Sequence, residues 1–243
     1  MVEVRGFCID RYEVSTVDKT TGEPLSPFYP PHPRLMHDAF ETWDLLRREI
    51  GPPTARRMPL PGVSEWQRTH RFQPKAVSLP GKVPQAYMSY HMAKAACENA
   101  GKRLCTQLEW DTACRGERYT THPYGNEFRR GPCNIYRYFH PAYVLHGASY
   151  FGHLDPRLNL LMISGDEAVL RVTGASQGCA SPWRGDAVFD MVGNLDEWID
   201  DERGTFRGGF YARSTTKGCE ASIASHGPTY YDYSTGARCC QSL

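Results

Sequence analysis

The 243-residue sequence has no apolar run near the roughly 20 residues that cross a membrane as a helix. It also has no excess of charge of either sign. Its 28 Lys and Arg face 27 Asp and Glu, a formal net charge of +1. That balance gives no global electrostatic case for nucleic acid or an acidic membrane as partner. None of the nine cysteines stands in a CxxC, which excludes a zinc knuckle and a thioredoxin-type redox site. There is no Gly-x-Ser-x-Gly elbow, and Gly208-Gly209 lacks the Gly-Lys-Ser/Thr continuation of a phosphate loop. His140, His146 and His153 do not share the i,i+4 spacing of a helical metal pair. Internal repeats, coiled coil, low-complexity tracts and a clear domain boundary are missing too. The opening MVEVRGFCID has no charged segment leading into an apolar core, so no signal peptide is read there.

What is present is a loop-rich globular composition: 40% hydrophobic and 12% aromatic residues, with 22 Gly and 18 Pro. Residues 1–243 are expected to form one sizeable domain. Nine widely spaced cysteines favour disulfides formed in an oxidising compartment, periplasmic or secreted, with at least one thiol left over. A secretion signal is then expected to lie outside this numbering.

Along the chain, Val2, Val4, Phe7, Ile9, Tyr12 and Val14 give residues 2–16 a strand-like pattern. Residues 18–86 hold 12 of the 18 prolines and read as expanded irregular loop, either a surface layer or a wall over a groove. One helix is expected inside it, capped by Asp38, carrying Phe40, Trp43, Leu46 and Ile50, and ended by Gly51. A second helix starts at Ser89, buries Met92, Ala93, Ala96, Cys97 and Ala100, and stops at Gly101. Thr106 and Glu109 form a capping box for a third, whose inner face is Trp110, Ala113 and Cys114. From Arg115 to Trp183 the sequence reads as turns, short strands and tyrosine-rich loop.

Four landmarks follow one another: FCIDRYEVS (7–15), AGKRLCTQLEWDTACRG (100–116), DMVGNLDEW (190–198) and RGGFY…GARC (207–239). Together they resemble the sulfatase-modifying-factor family, which includes the formylglycine-generating enzymes. The resemblance implies an α+β, C-type-lectin-like fold with little regular secondary structure, stapled by disulfides, and often calcium. It departs from the family in lacking the Gly-rich opening strand and in expanding residues 18–86. It implies a Cys97–Cys239 bridge and pairs Cys114 most nearly with Cys219. Cys8, Cys105, Cys133, Cys179 and Cys240 fall outside that framework, with Cys133–Cys179 the expected third bridge.

The resemblance also places one calcium site at Asp190, Gly193, Leu195 and Glu197, and the start of a second at Asn134 and Ile135. Calcium wants six to eight hard oxygens, and a tight Gly turn lets carbonyls join two carboxylates. The alternative is a plain turn with Trp198 in the core and solvated acids. The two cysteines that bind copper in the formylglycine enzyme fall at Arg213 and Gly218, neither of which is a soft thiolate. Copper chemistry is therefore not expected.

Between Gly208 and Tyr231 the only carboxylate is Glu220 and the only histidine is His226. Arg207, Arg213 and Lys217 supply positive charge, and Tyr211, Tyr230 and Tyr231 supply aromatic walls. A carboxylate in a desolvated groove has a raised pKa and serves as a base near neutral pH. Glu220 is the expected base, with His226, Arg213 and Tyr230 around it; the plainer reading makes Glu220 a surface charge and His226 a packed ring. Three functions stay open. The first is oxidative tailoring of a peptide-like or small aromatic substrate, as in a periplasmic protein of this fold that matures the pyoverdine siderophore chromophore. The second is a non-catalytic, calcium-stabilised lectin-like binding module. The third is formylglycine generation, which would need copper and Cys219.

Overall fold

The computed structural model describes residues 1–136, 139–163 and 167–243. Short helices and strands are joined by long turns. One four-stranded sheet runs in the order Val2–Val4, Phe7–Ile9, Cys239–Ser242, Arg103–Leu104. A second runs Ser222–Ile223, Phe206–Arg207, Asp196–Trp198, Thr235–Ala237, the last pair parallel. The chain's two ends meet in the first sheet, where Cys240 lies opposite both Ile9 and Arg103.

Ser89 caps the Tyr90–Asn99 helix by accepting the Met92 N–H, and the Thr106–Glu109 box opens the Gln107–Arg115 helix. Four disulfides tie these helices to the rest: Cys97–Cys239, Cys105–Cys240, Cys114–Cys219 and Cys133–Cys179. The two bridges implied by the resemblance form, as does the expected third. Cys239 and Cys240 point to opposite faces of their strand, so each takes a different partner. Cys8 is the free cysteine.

Residues 18–86 are more ordered than their prolines indicate. They contain three helices rather than one: Pro33–Leu46, Pro53–Arg57 and Glu65–Thr69. The first begins earlier than expected, because Pro33 occupies its first turn and the His32 ring accepts the Leu35 N–H. Asp38 thus lies inside that helix and does not cap it. Leu25, Tyr29, Met36 and Phe72 form a small core of their own. The strand Pro74–Val77 then pairs with Ser15–Asp18 and joins this region to the rest. A further helix, Pro141–His146, stands in the segment expected to lack one; it starts on a proline and ends at Gly147.

Candidate active site

The Asp196–Trp198 strand lies between Phe206–Arg207 and Thr235–Ala237, and all three of its residues are buried. Asp196 therefore has no solvent face. Its Oδ2 accepts a charge-assisted hydrogen bond from Arg213 Nη2, while Oδ1 has no hydrogen-bond partner of normal geometry among the described residues. Burial, reinforced by the nearby Asp232 carboxylate, pushes Asp196 up to about 7 against the pull of Arg213 and the Gly209 N–H. Arg213 covers it from above, its side chain 21% exposed.

The backbone shapes this pocket at Gly208 and Gly209. Both have positive φ, +90 and +76, and a Cβ on Gly208 would stand 2.7 Å from the Met191 carbonyl. The tight turn brings Gly209 N–H and Arg213 to one side of Asp196. On the other side Tyr230 donates to Asp232 Oδ2 at 2.6 Å, and Ser234 holds Oδ1 through its N–H and hydroxyl. The His226 ring stacks on Tyr230 with centroids 3.8 Å apart, and Phe206 continues the stack. Burial and then Asp232 raise the Tyr230 hydroxyl above its usual range, so it stays protonated.

Of the expected group, Arg213, Tyr230 and His226 come together here and Glu220 does not. Glu220 is 61% exposed on its side chain and pairs with Arg115 at 3.0 Å. The expectation of a buried carboxylate at Glu220 is therefore not met; the buried carboxylate paired with Arg213 is Asp196. Arg207 also points elsewhere, onto Asp111 and the Cys219 carbonyl. Tyr211 is buried and donates to Asn159 Oδ1 at 2.8 Å, and Tyr231 lines a small cavity beside Asp38.

The copper positions are occupied by chemistry that does not fit the metal. Arg213 is an ion-pair donor, and Gly218 packs on Thr121 and His122. Cys219 is consumed by its bridge to Cys114. A thiolate pair is what Cu(I) needs, and Arg213, Gly218 and the bridged Cys219 do not supply one.

The expected calcium residues likewise satisfy one another. Glu197 Oε1 and Oε2 accept Arg238 Nη2 and Trp110 Nε1 at 2.8 and 2.7 Å. Glu13 accepts Leu195 N–H and Asn194 Nδ2 at 3.1 and 2.6 Å, and Asp190 Oδ2 accepts Gly174 N–H at 2.7 Å. The Asn134 carbonyl receives Asn194 N–H, and a Cβ on Gly193 would stand 2.3 Å from it. Ile135 packs toward Gly209, so it helps wall Arg213. Arg238 completes the set, donating also to the Asp10 and Phe189 carbonyls at 2.8 Å. Among the described residues no three metal-ligating side chains converge.

The buried Arg238 guanidinium holds Glu197, while N–H donors hold Glu13 and Asp190, and the arrangement does not fit a calcium ion that needs six or more converging oxygens. Chelation is accordingly expected to leave the thermal melting curve unchanged. A fall of several degrees with EDTA, restored by calcium, would show that the cluster reorganises around a cation.

A family model described as the sulfatase-modifying factor enzyme 1-like domain matches residues 1–243. The chain belongs to this family. Its fold is accordingly the α+β, C-type-lectin-like one that the landmarks implied, with four disulfides. It is 30% identical over 117 residues to the inactive C-alpha-formylglycine-generating enzyme 2 of Bos taurus, 47% of this chain and 32% of that protein. It is 26% identical over 215 residues to the formylglycine-generating enzyme of Mus musculus, 82% of this chain and 50% of that one. The chain thus spans half or less of the length of these relatives. Among solved structures, PvdO from Pseudomonas aeruginosa aligns over 98% of this chain and 80% of its own, at 14% identity and a TM-score of 0.43.

Sequence reasoning missed Asp196 because it searched between Gly208 and Tyr231. The available signal was two adjacent acids in LDEW. A strand with one wet face would expose one of them, but this strand is covered on both faces and buries both.

Proposed function

We propose that this chain is an extracytoplasmic tailoring enzyme that dehydrogenates a peptide-derived substrate, such as a siderophore-type precursor with a flat aromatic group. Asp196 is its general base. The observation that carries this reading is the buried Asp196 carboxylate beneath Arg213, pushed up to about 7, with one oxygen lacking a partner among the described residues. A group that titrates near the working pH both takes and returns a proton efficiently. In the reaction, the C–H beside a substrate nitrogen loses its proton to Asp196 Oδ1. The C–H electron pair becomes the second C=N bond, the N–H proton leaves, and the electron pair that nitrogen gives up passes to dioxygen, which takes up the two released protons to become hydrogen peroxide.

Arg213 controls access. An anionic group on the substrate that draws Arg213 outward uncovers Asp196 and removes its counter-ion, which strengthens the base. The stacked His226, Tyr230 and Phe206 rings offer an edge for a flat substrate group. The four disulfides support an oxidising compartment.

The test compares metabolites of the native host with its deletion strain. Loss of the gene is expected to accumulate a precursor carrying two more hydrogens than the product. Wild type and Glu220→Gln restore the product; Asp196→Asn does not, with turnover down about 10²-fold or more. Activity in extract should rise as pH climbs through 7, because the base works deprotonated. Restoration by Asp196→Asn would remove it from the mechanism. An unchanged metabolite profile on deletion would favour the binding module.

A further inference from the structure

The expanded segment builds a slot away from Asp196. Two adjoining cavities, about 400 and 390 Å³, share Phe28 and Val83 as their common wall. The first is walled by Val17, Leu25 and Val77; the second continues past Leu170 and Val172. Leu79, Val172 and Met162 stand at their edges, 47%, 40% and 49% exposed. Monomers rarely leave contiguous apolar surface uncovered without use, and a mostly apolar concavity of this size is typical of a small-molecule site.

The walls are fixed before any ligand arrives. Thr173 exchanges backbone hydrogen bonds with Gly81 and Lys82, and its hydroxyl bonds the Leu79 carbonyl at 2.6 Å. Ser15 holds the Val83 carbonyl from the other side at 3.2 Å. Of the charged groups along the slot, Glu167 and Arg171 pair with each other at 2.6 Å, whereas the exposed Lys82 has no ion-pair partner among the described residues. An apolar channel with one free ammonium on its wall is complementary to a chain ending in a carboxylate. A second copy of the protein would need about 800 Å² of matching surface on each side, far more than three partly exposed side chains provide.

We propose that this slot, between the 15–28 and 79–83 segments, binds an aliphatic carboxylic acid, its chain along Phe28 and Val83 and its carboxylate on Lys82. The site stands independently of the Asp196 chemistry.

The experiment titrates a dansylated medium-chain fatty acid, and its methyl ester, into the folded protein and follows fluorescence. The acid is expected to bind one-to-one, with the ester about tenfold weaker, the loss typical of one charge-assisted contact. Lys82→Ala should bind acid and ester equally, and Val83→Asp should bind neither while melting at the wild-type temperature. Equal binding of acid and ester by the wild type would overturn the role of Lys82. No saturable binding, retained binding by Val83→Asp, or a dimer in sedimentation that Val83→Asp dissolves would overturn the site.

Discussion

A variant lacking both bridges to the C-terminal strand, with Cys97, Cys105, Cys239 and Cys240 all changed to serine, is expected to be unfolded at physiological temperature. Each bridge alone closes a long loop, 142 residues for Cys97–Cys239 and 135 for Cys105–Cys240. Closing such a loop alone would remove about 5 kcal/mol of denatured-state entropy in the chain model. The bridges are not additive. With Cys114–Cys219 in place, the first closes a ring of about 40 residues and adds about 4 kcal/mol, and the second a ring of about ten, adding roughly 3. Removing either bridge should therefore cost about 3 kcal/mol, and removing both about 7, against a typical total of 5–15. Urea denaturation of the two single-bridge variants and the double checks this. A double that costs no more than a single would show that the strand is held by its ladder and not by its bridges.

Arg238→Met is expected to be the most damaging single change, costing about 3–5 kcal/mol, the usual penalty for stripping one partner from a buried ion pair. Arg238 is fully buried and its guanidinium binds Glu197 and two backbone carbonyls. Without it, Glu197 is left in the core without its cation, beside Asp190 and Glu13. Burial, and for Glu13 also the neighbouring carboxylates, already pushes Glu13 well up and Asp190 up to about 6. Both are raised, so their share of stability is full below the ordinary carboxylate range and is lost as pH rises, by about pH 6 for Asp190. Arg238→Met should thus be least damaging in acid. Adding Glu197→Gln to Arg238→Met should recover a large part of the loss. Equal stability of wild type and Arg238→Met at pH 8 would contradict the assignment of Arg238 as the cluster's cation.

Local signals revealed the pieces that local chemistry decides. Ser89 and the Thr106–Glu109 box mark their helices because capping needs only neighbours in sequence. His32-Pro33 was a comparable signal, yet Asp38 drew the start of that helix too far along. The Cys105–Cys240 bridge was legible in principle, since adjacent cysteines on a strand face opposite ways. The site was harder. Glu220 and Asp196 are both plain acids in sequence, and what separates them is that Glu220 ends a 3₁₀ turn with its side chain exposed while Asp196 stands in a strand covered on both faces. That is a long-range fact, set where Thr235–Ala237 returns beside Asp196–Trp198. In DMVGNLDEW the acids stand close in sequence, whereas the cation that pairs with Glu197, Arg238, lies forty-one positions later and is not visible locally.

The account rests on Asp196 being a buried base and not a permanently ionised structural partner of Arg213. The most direct measurement is the carboxyl ¹³C titration of Asp196 by NMR, assigned by its loss in Asp196→Asn. Its raised pKa predicts a midpoint near 7, with a matching fall in folding stability as pH rises from about 4 to 7. A carboxylate that stays ionised down to pH 4 or below would contradict the account.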